Sequence, residues 1–376
     1  MKRPRILAVF GTRPELIKSA PVLRALRAAG LKTVSCTTAQ HRGLLDSAAA
    51  ALSVRPDLDL GLMRSGQTPA QVAARVQRAF PPILAAQKPD LVLVQGDTTT
   101  ASSCALASFE RRVPVAHVEA GLRSFDARNP WPEELNRVLI DRVSSLRFAP
   151  TSRAKANLLR EGLEDRSFLT GNTGLDALRW ALRRPARQHP ALKSLPPAAR
   201  LILCTLHRRE SFGTPLRRML RALLTLADRR LDVRIAFLVH PNPDVRRAAR
   251  VLTHPRILRI APAPYPEFLS LLRRAEFLLT DSGGLQEEAP SLGKPVLVAR
   301  SVTERPELLA SGGGLLVGTD PKRILREACR LLDDRRLYRR MSSAGSPFGD
   351  GRASERIAGF IRWHFGLGSK PREWAS

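Results

Sequence analysis

The sequence is poor in cysteine, lysine and aromatic residues, and it has no long hydrophobic run. Its four cysteines among 376 residues stand apart and form no C-x-x-C pair, so neither a disulfide framework nor a structural zinc site is expected. The uncharged apolar stretches are shorter than the roughly 18 residues that a membrane span requires. The sequence therefore predicts a soluble protein of a reducing cytoplasm, without membrane insertion.

The positive charge is carried almost entirely by arginine. Lysine and arginine together number 62 against 34 aspartates and glutamates, a net charge of +28, yet only nine of the 62 are lysine. The arginines are scattered as singles and pairs, and aromatic side chains, which could stack on bases, make up 5% of the chain. This pattern indicates that the positive charge reflects a general preference for arginine rather than a surface that binds nucleic acid.

Short apolar runs alternate with helical stretches, which is typical of α/β proteins with parallel sheets. The length predicts about two domains at roughly 150 residues each. Strands are predicted at 6–10, 33–36, 91–94, 113–117 and 146–148, and then at 201–205, 234–239, 257–260, 277–280, 295–298 and 314–317. The two series predict two doubly wound domains.

A stretch rich in proline separates the two series. Residues 183–200 contain four prolines and are predicted to be a linker. The first domain is then 1–182, the second is 201–351, and 352–376 forms a C-terminal segment with a helix. Two such domains are expected to bind a ligand in the cleft that the carboxyl ends of both sets of strands face.

Two strand-to-helix turns are suited to anionic ligands. Ser282-Gly283-Gly284 follows a buried strand, and glycines let backbone N–H groups approach a phosphate closely at a helix start. Glu288 could accept ribose hydroxyls. In the first half, Arg13 and Lys18 follow a similar turn and could hold a second anionic group. The alternatives are ordinary N-capping by Ser282, a helix-dipole role for Glu288, and simple exposure of the two cations.

Three carboxylates are placed for proton transfer. Asp97 and Glu119 each follow a predicted strand, and Glu133 opens a predicted helix. Carboxylates at such positions can exchange protons with carbon and stabilise a cationic sugar-like transition state. Asp97 could instead cap the helix that follows it, and Glu133 could be a favoured first-turn residue. Glu119 has no evident capping role.

Two histidines follow strands of the second half. His207 and His240 stand at equivalent carboxyl ends, where imidazole can accompany a diphosphate, although hydrogen bonding within a loop is the commoner role. The sequence has no P-loop, no dinucleotide G-x-G-x-x-G and no Ser-His-Asp order. NTPase, dehydrogenase and acyl-hydrolase functions therefore lack support.

At these residues the sequence resembles the non-hydrolysing UDP-N-acetylglucosamine 2-epimerases. The resemblance spans nearly the whole chain, and its motifs are FGTRPELIK at 10–18, AQHR at 39–42, QGDTTT at 95–100, HVEAGLR at 117–123, PWPEELNR at 130–137, HRRESFG at 207–213, DSGGLQEEAPSLGKP at 281–295 and TERPE at 303–307. It implies two Rossmann-like domains of the GT-B type and a C-terminal helix that packs back on the first.

The resemblance also implies an activity and a set of site residues. The reaction is reversible inversion at C2 of UDP-GlcNAc to give UDP-ManNAc, through elimination of UDP, a 2-acetamidoglucal intermediate and re-addition, and it would supply ManNAc for cell-surface polysaccharide. No metal or cofactor is implied, and a homodimer is expected. The implied catalytic residues are Asp97, Glu119, Glu133 and His207, and the implied UDP-binding residues are Arg13, Lys18, His240, Phe268, Ser282, Gly283, Gly284, Glu288 and Arg305.

Three other functions share part of this pattern. A hydrolysing epimerase would release ManNAc and UDP, an epimerase for a modified UDP-sugar would use the same groups, and a GT-B glycosyltransferase would add an acceptor pocket. A nucleic-acid binder would instead show affinity that falls steeply with salt. The motifs separate the first two from the epimerase only in part.

Overall fold

The computed structural model describes residues 3–38, 42–64, 66–185 and 187–375. Contacts divide the chain into two compact units. Unit 1 comprises residues 1–183 and 348–376, and unit 2 comprises 184–347. Most of the predicted linker thus belongs to unit 2, where the His189 N–H donates to Ser270 Oγ at 2.9 Å. Of the AQHR motif, residues 39–41 lie outside the described ranges.

Unit 1 is built on a parallel sheet. Among its described residues the strands are β1 (Arg5–Phe10), β2 (Lys32–Thr37), β3 (Leu58–Asp59), β4 (Leu91–Gln95), β5 (Val115–Val118), β6 (Leu146–Ala149) and β7 (Ser167–Leu169). Their order across the sheet is β3-β2-β1-β4-β5-β6-β7. The order in which successive strands are added to the sheet therefore reverses between β1 and β4, which pair in parallel from Ile6 with Leu91 to Ala8 with Leu93.

Helices cover both faces of this sheet, as parallel strands buried on both sides require. They are α1 (Arg13–Ala28), α2 (Arg42–Ala51), α3 (Pro69–Gln87), α4 (Thr99–Glu110), α5 (Glu133–Val143), α6 (Ser152–Arg160) and α7 (Thr173–Leu182). The strand β4 is buried along its whole length, and its Val92 and Val94 join Phe80 of α3 and Cys104 of α4 in one apolar core.

Unit 2 repeats this arrangement. Its described strands are β8 (Arg200–Thr205), β9 (Val233–Leu238), β10 (Ile257–Ile260), β11 (Ala275–Thr280), β12 (Val296–Val298) and β13 (Gly314–Leu316). Its described α-helices are α8 (Thr214–Arg229), α9 (Pro243–Ala248), α10 (Tyr265–Arg274), α11 (Gly283–Glu288), α12 (Pro306–Ala310), α13 (Pro321–Asp333) and α14 (Arg335–Ser342). The parallel sheet has the order β10-β9-β8-β11-β12-β13.

The last helix, α15 (Ala353–His364), belongs to unit 1 and packs against α1 and α7. Its first turn is held by a residue distant in the sequence. The buried Asp176 of α7 accepts hydrogen bonds from the backbone N–H groups of Ala353 at 3.1 Å and Ser354 at 2.7 Å. Arg352, at the N-cap position, makes no side-chain cap bond, so Asp176 supplies the acceptor that the helix start needs.

The predicted fold class, two doubly wound α/β domains, is confirmed. In a doubly wound sheet a ligand binds outside the carboxyl ends of the strands where the strand order reverses. That point lies between β1 and β4 in unit 1 and between β8 and β11 in unit 2. In the described ranges, no helix is long and apolar enough to cross a membrane.

Candidate functional site

Glu119 stands directly after β5 with a strained backbone and a paired side chain. Its φ of +74° lies in the left-handed region, which is costly for a residue other than glycine. Its carboxylate is 2.6 Å from the Lys18 ammonium of α1, and it also accepts a hydrogen bond from the side-chain amide of Gln95 at the end of β4. The structure therefore brings residues from three neighbouring elements to one carboxylate.

Asp97 lies close by, in the turn between β4 and α4. A Cβ on the preceding Gly96, whose φ is +73°, would be 3.9 Å from Glu119 Oε2. The Asp97 carboxylate is 2.5 Å from Arg137 Nη2, and its backbone carbonyl accepts a hydrogen bond from Asn136 at 2.9 Å. The carboxylate remains 28% exposed, so it is oriented by a cation and still accessible.

The alternative reading of Asp97 as an N-cap is wrong. The N-cap of α4 is Thr98, whose hydroxyl accepts from the Ala101 N–H at 3.1 Å. The same hydroxyl donates to Glu15, which itself accepts from the N–H groups of Gly11 and Thr12 at 2.7 and 2.6 Å. Glu15 therefore links the turn after β1 to the turn that carries Asp97.

Glu133 is the first residue of α5, as the first-turn interpretation expected. It stands four residues before Arg137, so both side chains project from the same face of the helix. Arg137 is buried and bridges Asp97 to Glu134, whose carboxylate is 3.0 Å from Arg137 Nη1. This places Glu133 one helical turn from the cation that orients Asp97.

Arg13 and Lys18 lie on α1, where both are half-buried. They were predicted to grip an anionic group of the ligand together. The structure places the Lys18 ammonium against Glu119, within the group of carboxylates. Arg13 is the first residue of α1, next to the turn after β1.

In unit 2 the two predicted histidines stack on each other. The rings of His207 and His240 are 4.9 Å apart between centroids and inclined by 10°. The backbone N–H groups of His207 and Arg208 donate to the buried Asp281 carboxylate at 2.7 and 2.9 Å, and His207 Nδ1 is 3.3 Å from its other oxygen. Burial raises the pKa of Asp281.

The glycine turn of unit 2 lies against an arginine. Ser282 is the N-cap residue of α11, but its hydroxyl makes no capping bond, so the alternative of ordinary side-chain N-capping is wrong. A Cβ on Gly283 would be 3.4 Å from the guanidinium carbon of Arg305, and Gly284 has open space beside it. Arg305 is fixed by Glu287, which accepts from its Nε at 2.8 Å.

Glu288, the last residue of α11, is held by a tyrosine. The hydroxyl of the buried Tyr265 donates to Glu288 Oε1 at 3.1 Å. Phe268 lies one turn further along α10, and only 4% of its surface is exposed. The assignment of Phe268 to the uracil base stays a prediction.

Several residues that hold the candidate side chains of each unit were not singled out from the sequence. They are Gln95, Arg137, Glu134, Asp281, Glu287 and Tyr265. All but Tyr265 lie inside the motifs quoted above, so the motifs contained the signal. In the described part of the chain, no cluster of three His, Cys, Asp or Glu side chains could hold a metal ion.

Acid is expected to destabilise unit 2 through His207. Burial, and next the Arg208 cation, lower the pKa of His207 from 6.5 to about 4. Because the unfolded chain takes up this proton first, the free energy of unfolding falls as the pH drops from 6.5 to 4. We expect a loss of roughly 1–2 kcal/mol between about pH 7 and pH 5, since solvent reaches part of the ring.

Urea unfolding at the two pH values would measure this loss in the wild type and in His207→Asn. All four tryptophans lie in unit 1, so their fluorescence follows that unit, whereas far-UV circular dichroism follows both. The expected loss is seen by circular dichroism in the wild type and is reduced in the variant. Equal losses in both proteins would contradict the assignment to His207.

The chain is similar to proteins of one family over nearly its whole length. The family model described as UDP-N-acetylglucosamine 2-epimerase matches residues 24–362. The UDP-N-acetylglucosamine 2-epimerase of Escherichia coli (strain K12) is 47% identical over 365 residues, which cover 94% of this chain and 97% of that protein.

Solved structures give the same result. The S. aureus MnaA–UDP co-structure is 40% identical with a TM-score of 0.93, covering 99% of this chain and 100% of that one. The UDP-GlcNAc 2-epimerase of Neisseria meningitidis bound to UDP-GlcNAc is 37% identical with a TM-score of 0.90, covering 95% and 99%.

The chain has two doubly wound units, of which unit 1 carries carboxylates after its strands and unit 2 carries a glycine turn after a strand. These features define an α/β protein of the GT-B type. The chain belongs to the UDP-N-acetylglucosamine 2-epimerase family, which confirms the resemblance seen in its motifs.

Proposed function

We propose that this protein is a non-hydrolysing isomerase that interconverts UDP-GlcNAc and UDP-ManNAc. A carboxylate removes the C2 proton, the bond from C1 to the UDP oxygen breaks, and a C1–C2 double bond forms in 2-acetamidoglucal. UDP then returns to C1 while a proton arrives at the opposite face of C2. Atoms and charges balance without an oxidant, a metal or a cofactor.

The observation that carries this proposal is the pair of oriented carboxylates in unit 1. Glu119 faces the Lys18 ammonium at 2.6 Å, and Asp97 faces Arg137 at 2.5 Å. These ion pairs fix the position of each carboxylate, and a carboxylate is a group that can accept a proton from carbon. Two such groups suit a reaction that removes a proton from one face of a carbon and returns one to the other.

The remaining catalytic roles follow from charge. We assign Glu133, with Asp97 and Glu119, to the C2 protons and to the positive charge that develops at C1. His207 is neutral near pH 7 because burial lowers its pKa to about 4, so it suits hydrogen bonding to the diphosphate or the leaving oxygen.

The nucleotide is assigned mainly to residues of unit 2. The Ser282 N–H already donates to Thr280 Oγ1 at 3.0 Å, so the Ser282 hydroxyl and the backbone N–H groups of Gly283 and Gly284 are assigned to the diphosphate. The Arg305 guanidinium lies against Gly283 and suits the same group. Glu288, held by Tyr265, suits the ribose hydroxyls. Phe268 is assigned to the uracil. The remaining residues of the proposed UDP-binding set are His240, Arg13 and Lys18.

Proton NMR of UDP-GlcNAc with the protein in deuterated water tests the reaction directly. The proposal expects a stable mixture of UDP-GlcNAc and UDP-ManNAc and deuterium at C2 of both. Free ManNAc with UDP would assign the protein to the hydrolysing alternative. An untouched substrate that keeps its C2 proton would overturn the reaction for this sugar and direct the search to modified UDP-sugars or to transfer.

Removing Glu288 is expected to weaken UDP binding. Glu288→Ala loses charge-assisted hydrogen bonds to the ribose, so the Kd for UDP should rise about ten-fold or more. Tyr265→Phe should raise the Kd a few-fold, because it removes the hydrogen bond from the Tyr265 hydroxyl to the carboxylate. Calorimetric titration with UDP measures both. Tyr338→Phe is the matched control, because this second tyrosine of unit 2 donates to a backbone carbonyl, that of Glu276. A Kd unchanged in Glu288→Ala would remove that residue from the UDP-binding set.

We also propose a cytoplasmic homodimer that supplies ManNAc units for cell-surface polysaccharide. The four free cysteines, three of them buried, suit a reducing compartment. Light scattering of the purified protein would measure its mass, and a monomer would overturn the dimer.

A further inference from the structure

A chain of four buried or half-buried ionisable side chains lies next to the turns that carry the two carboxylates. Glu161 pairs with Arg123 through two contacts of 2.7 and 2.8 Å, and Arg123 contacts Asp141 at 2.8 Å. The other oxygen of Asp141 is 2.7 Å from His117 Nδ1. His117 and Asp141 have no exposed surface. Charges buried this deeply are costly unless each has a partner, so their arrangement is closely specified.

Both ring nitrogens of His117 face acceptor atoms. Nε2 is 2.8 Å from the Gly96 carbonyl oxygen, which can only accept a hydrogen bond. Nδ1 faces Asp141, which is also contacted by the Arg123 cation and by the Gly121 N–H at 3.1 Å. Burial opposes the charge of Asp141, but His117 and Arg123 outweigh it and lower its pKa. Arg147 of β6 adds a further cation nearby, with its Nε 2.6 Å from the Asp141 backbone oxygen.

This network contacts the backbone beside each carboxylate. Gly96 immediately precedes Asp97, and its φ of +73° lets the chain turn sharply after β4. Gly121 follows Glu119 by two residues, and a Cβ there would lie 2.2 Å from the Ala154 backbone oxygen, so the turn cannot shift freely. The paired side chains of His117 and Asp141 therefore contact both turns, His117 at Gly96 and Asp141 at Gly121.

We propose that His117 is a positioning residue that carries a proton on each ring nitrogen and fixes the turn of Asp97 relative to that of Glu119. The Nε2 proton holds the Gly96 carbonyl, and the Nδ1 proton holds Asp141, which binds Gly121. The effect on turnover rests on the proposed function, whereas the protonation of the ring does not.

The protonation is tested on the wild-type protein by ¹⁵N–¹H correlation of histidine rings at pH 7, with His117 assigned through its ring and side-chain carbons. We expect both nitrogens of His117 to carry a proton. A ring with one unprotonated nitrogen would overturn the proposal. An unprotonated Nδ1 would need Asp141 to hold the proton, and an unprotonated Nε2 would leave the Gly96 carbonyl oxygen without a donor. This measurement needs neither turnover nor a folded variant.

The positioning role is tested with two variants that each keep one donor. In His117→Gln the amide nitrogen lies near the position of Nε2 and can still reach Gly96, whereas in His117→Asn it lies near the position of Nδ1 and reaches Asp141. A displacement of about 1 Å at a reacting group can cost about 10²-fold in rate. We therefore expect kcat to fall about 10²-fold in His117→Asn, which loses the contact to Gly96 beside Asp97. In His117→Gln, which keeps that contact, we expect kcat to fall only about ten-fold.

Two readouts separate positioning from general damage. The Kd for UDP should stay within about two-fold of wild type in both variants, because the nucleotide is assigned mainly to unit 2. The thermal midpoint shows whether each variant folds. Equal kcat in the two variants, a better His117→Asn, or wild-type rates in both would overturn the role. If the wild type itself does not turn over UDP-GlcNAc, the proposed function fails and the ring spectrum still decides the protonation.

Discussion

Asp97→Asn is expected to lower the turnover of UDP-GlcNAc by about 10²- to 10⁴-fold, the range typical of a lost general base. The asparagine oxygen can still accept from Arg137, so the turn between β4 and α4 should keep its shape. The amide cannot take a proton from carbon, and for this reason the chemical step fails. UDP binding should change less than about two-fold, because Asp97 is assigned to the sugar.

Steady-state rates and calorimetric titration with UDP measure the two effects. Glu110→Gln is a matched control at the far end of α4, the helix that follows Asp97, since the Glu110 side chain is 51% exposed and its ion pair with Arg111 is 3.7 Å long. An exposed pair of this kind contributes little, so this variant should behave as wild type. A near-normal rate in Asp97→Asn would remove Asp97 from the mechanism.

Glu119→Gln is expected to abolish turnover to a similar extent and also to destabilise unit 1. The carboxylate is 9% exposed and the Lys18 side chain 12%, so removing the negative charge leaves a mostly buried ammonium opposite a neutral amide. Breaking a mostly buried ion pair costs more than breaking an exposed one, here roughly 1–3 kcal/mol because solvent still reaches a small part of each side chain. Tryptophan fluorescence during urea unfolding reports on this unit alone.

A double variant separates the two effects. Lys18→Met with Glu119→Gln removes both charges, so we expect part of the lost stability to return. Turnover should not return, because no proton acceptor is restored. A double variant that regains activity would show that Glu119 acts only as the partner of Lys18.

The sequence predicts the sheets well where strands are long and buried. β4 and β11 are continuous apolar runs flanked by turns, and their predicted and observed spans differ by one or two residues. The strands β3 (Leu58–Asp59) and β7 (Ser167–Leu169), which have only two and three residues, were not predicted. Both lie at the edges of the unit 1 sheet, where few residues make ladder contacts and no periodicity can form.

The candidate site was predictable at the level of the backbone. Because parallel strands all end at one edge, residues that follow β4 and β5 must lie near each other, which placed Asp97 with Glu119. The side-chain partners could not be derived in this way. Lys18 and Glu119 are 101 positions apart. Their pairing depends on which side of α1 faces β5, and no local sequence pattern predicts that orientation. The local pattern also left open that Asp97 caps α4, whereas the capping oxygen belongs to Thr98.

The return of α15 to unit 1 has a consequence for how the protein is made. Unit 2 is continuous in the sequence, from residue 184 to 347, whereas unit 1 is completed by residues 348–376. On the ribosome, unit 2 can therefore reach its final fold while α1 and α7 still lack the helix that covers them. The paired carboxylates Asp97 and Glu119 thus lie on a unit that can become complete only after all of unit 2 has been synthesised.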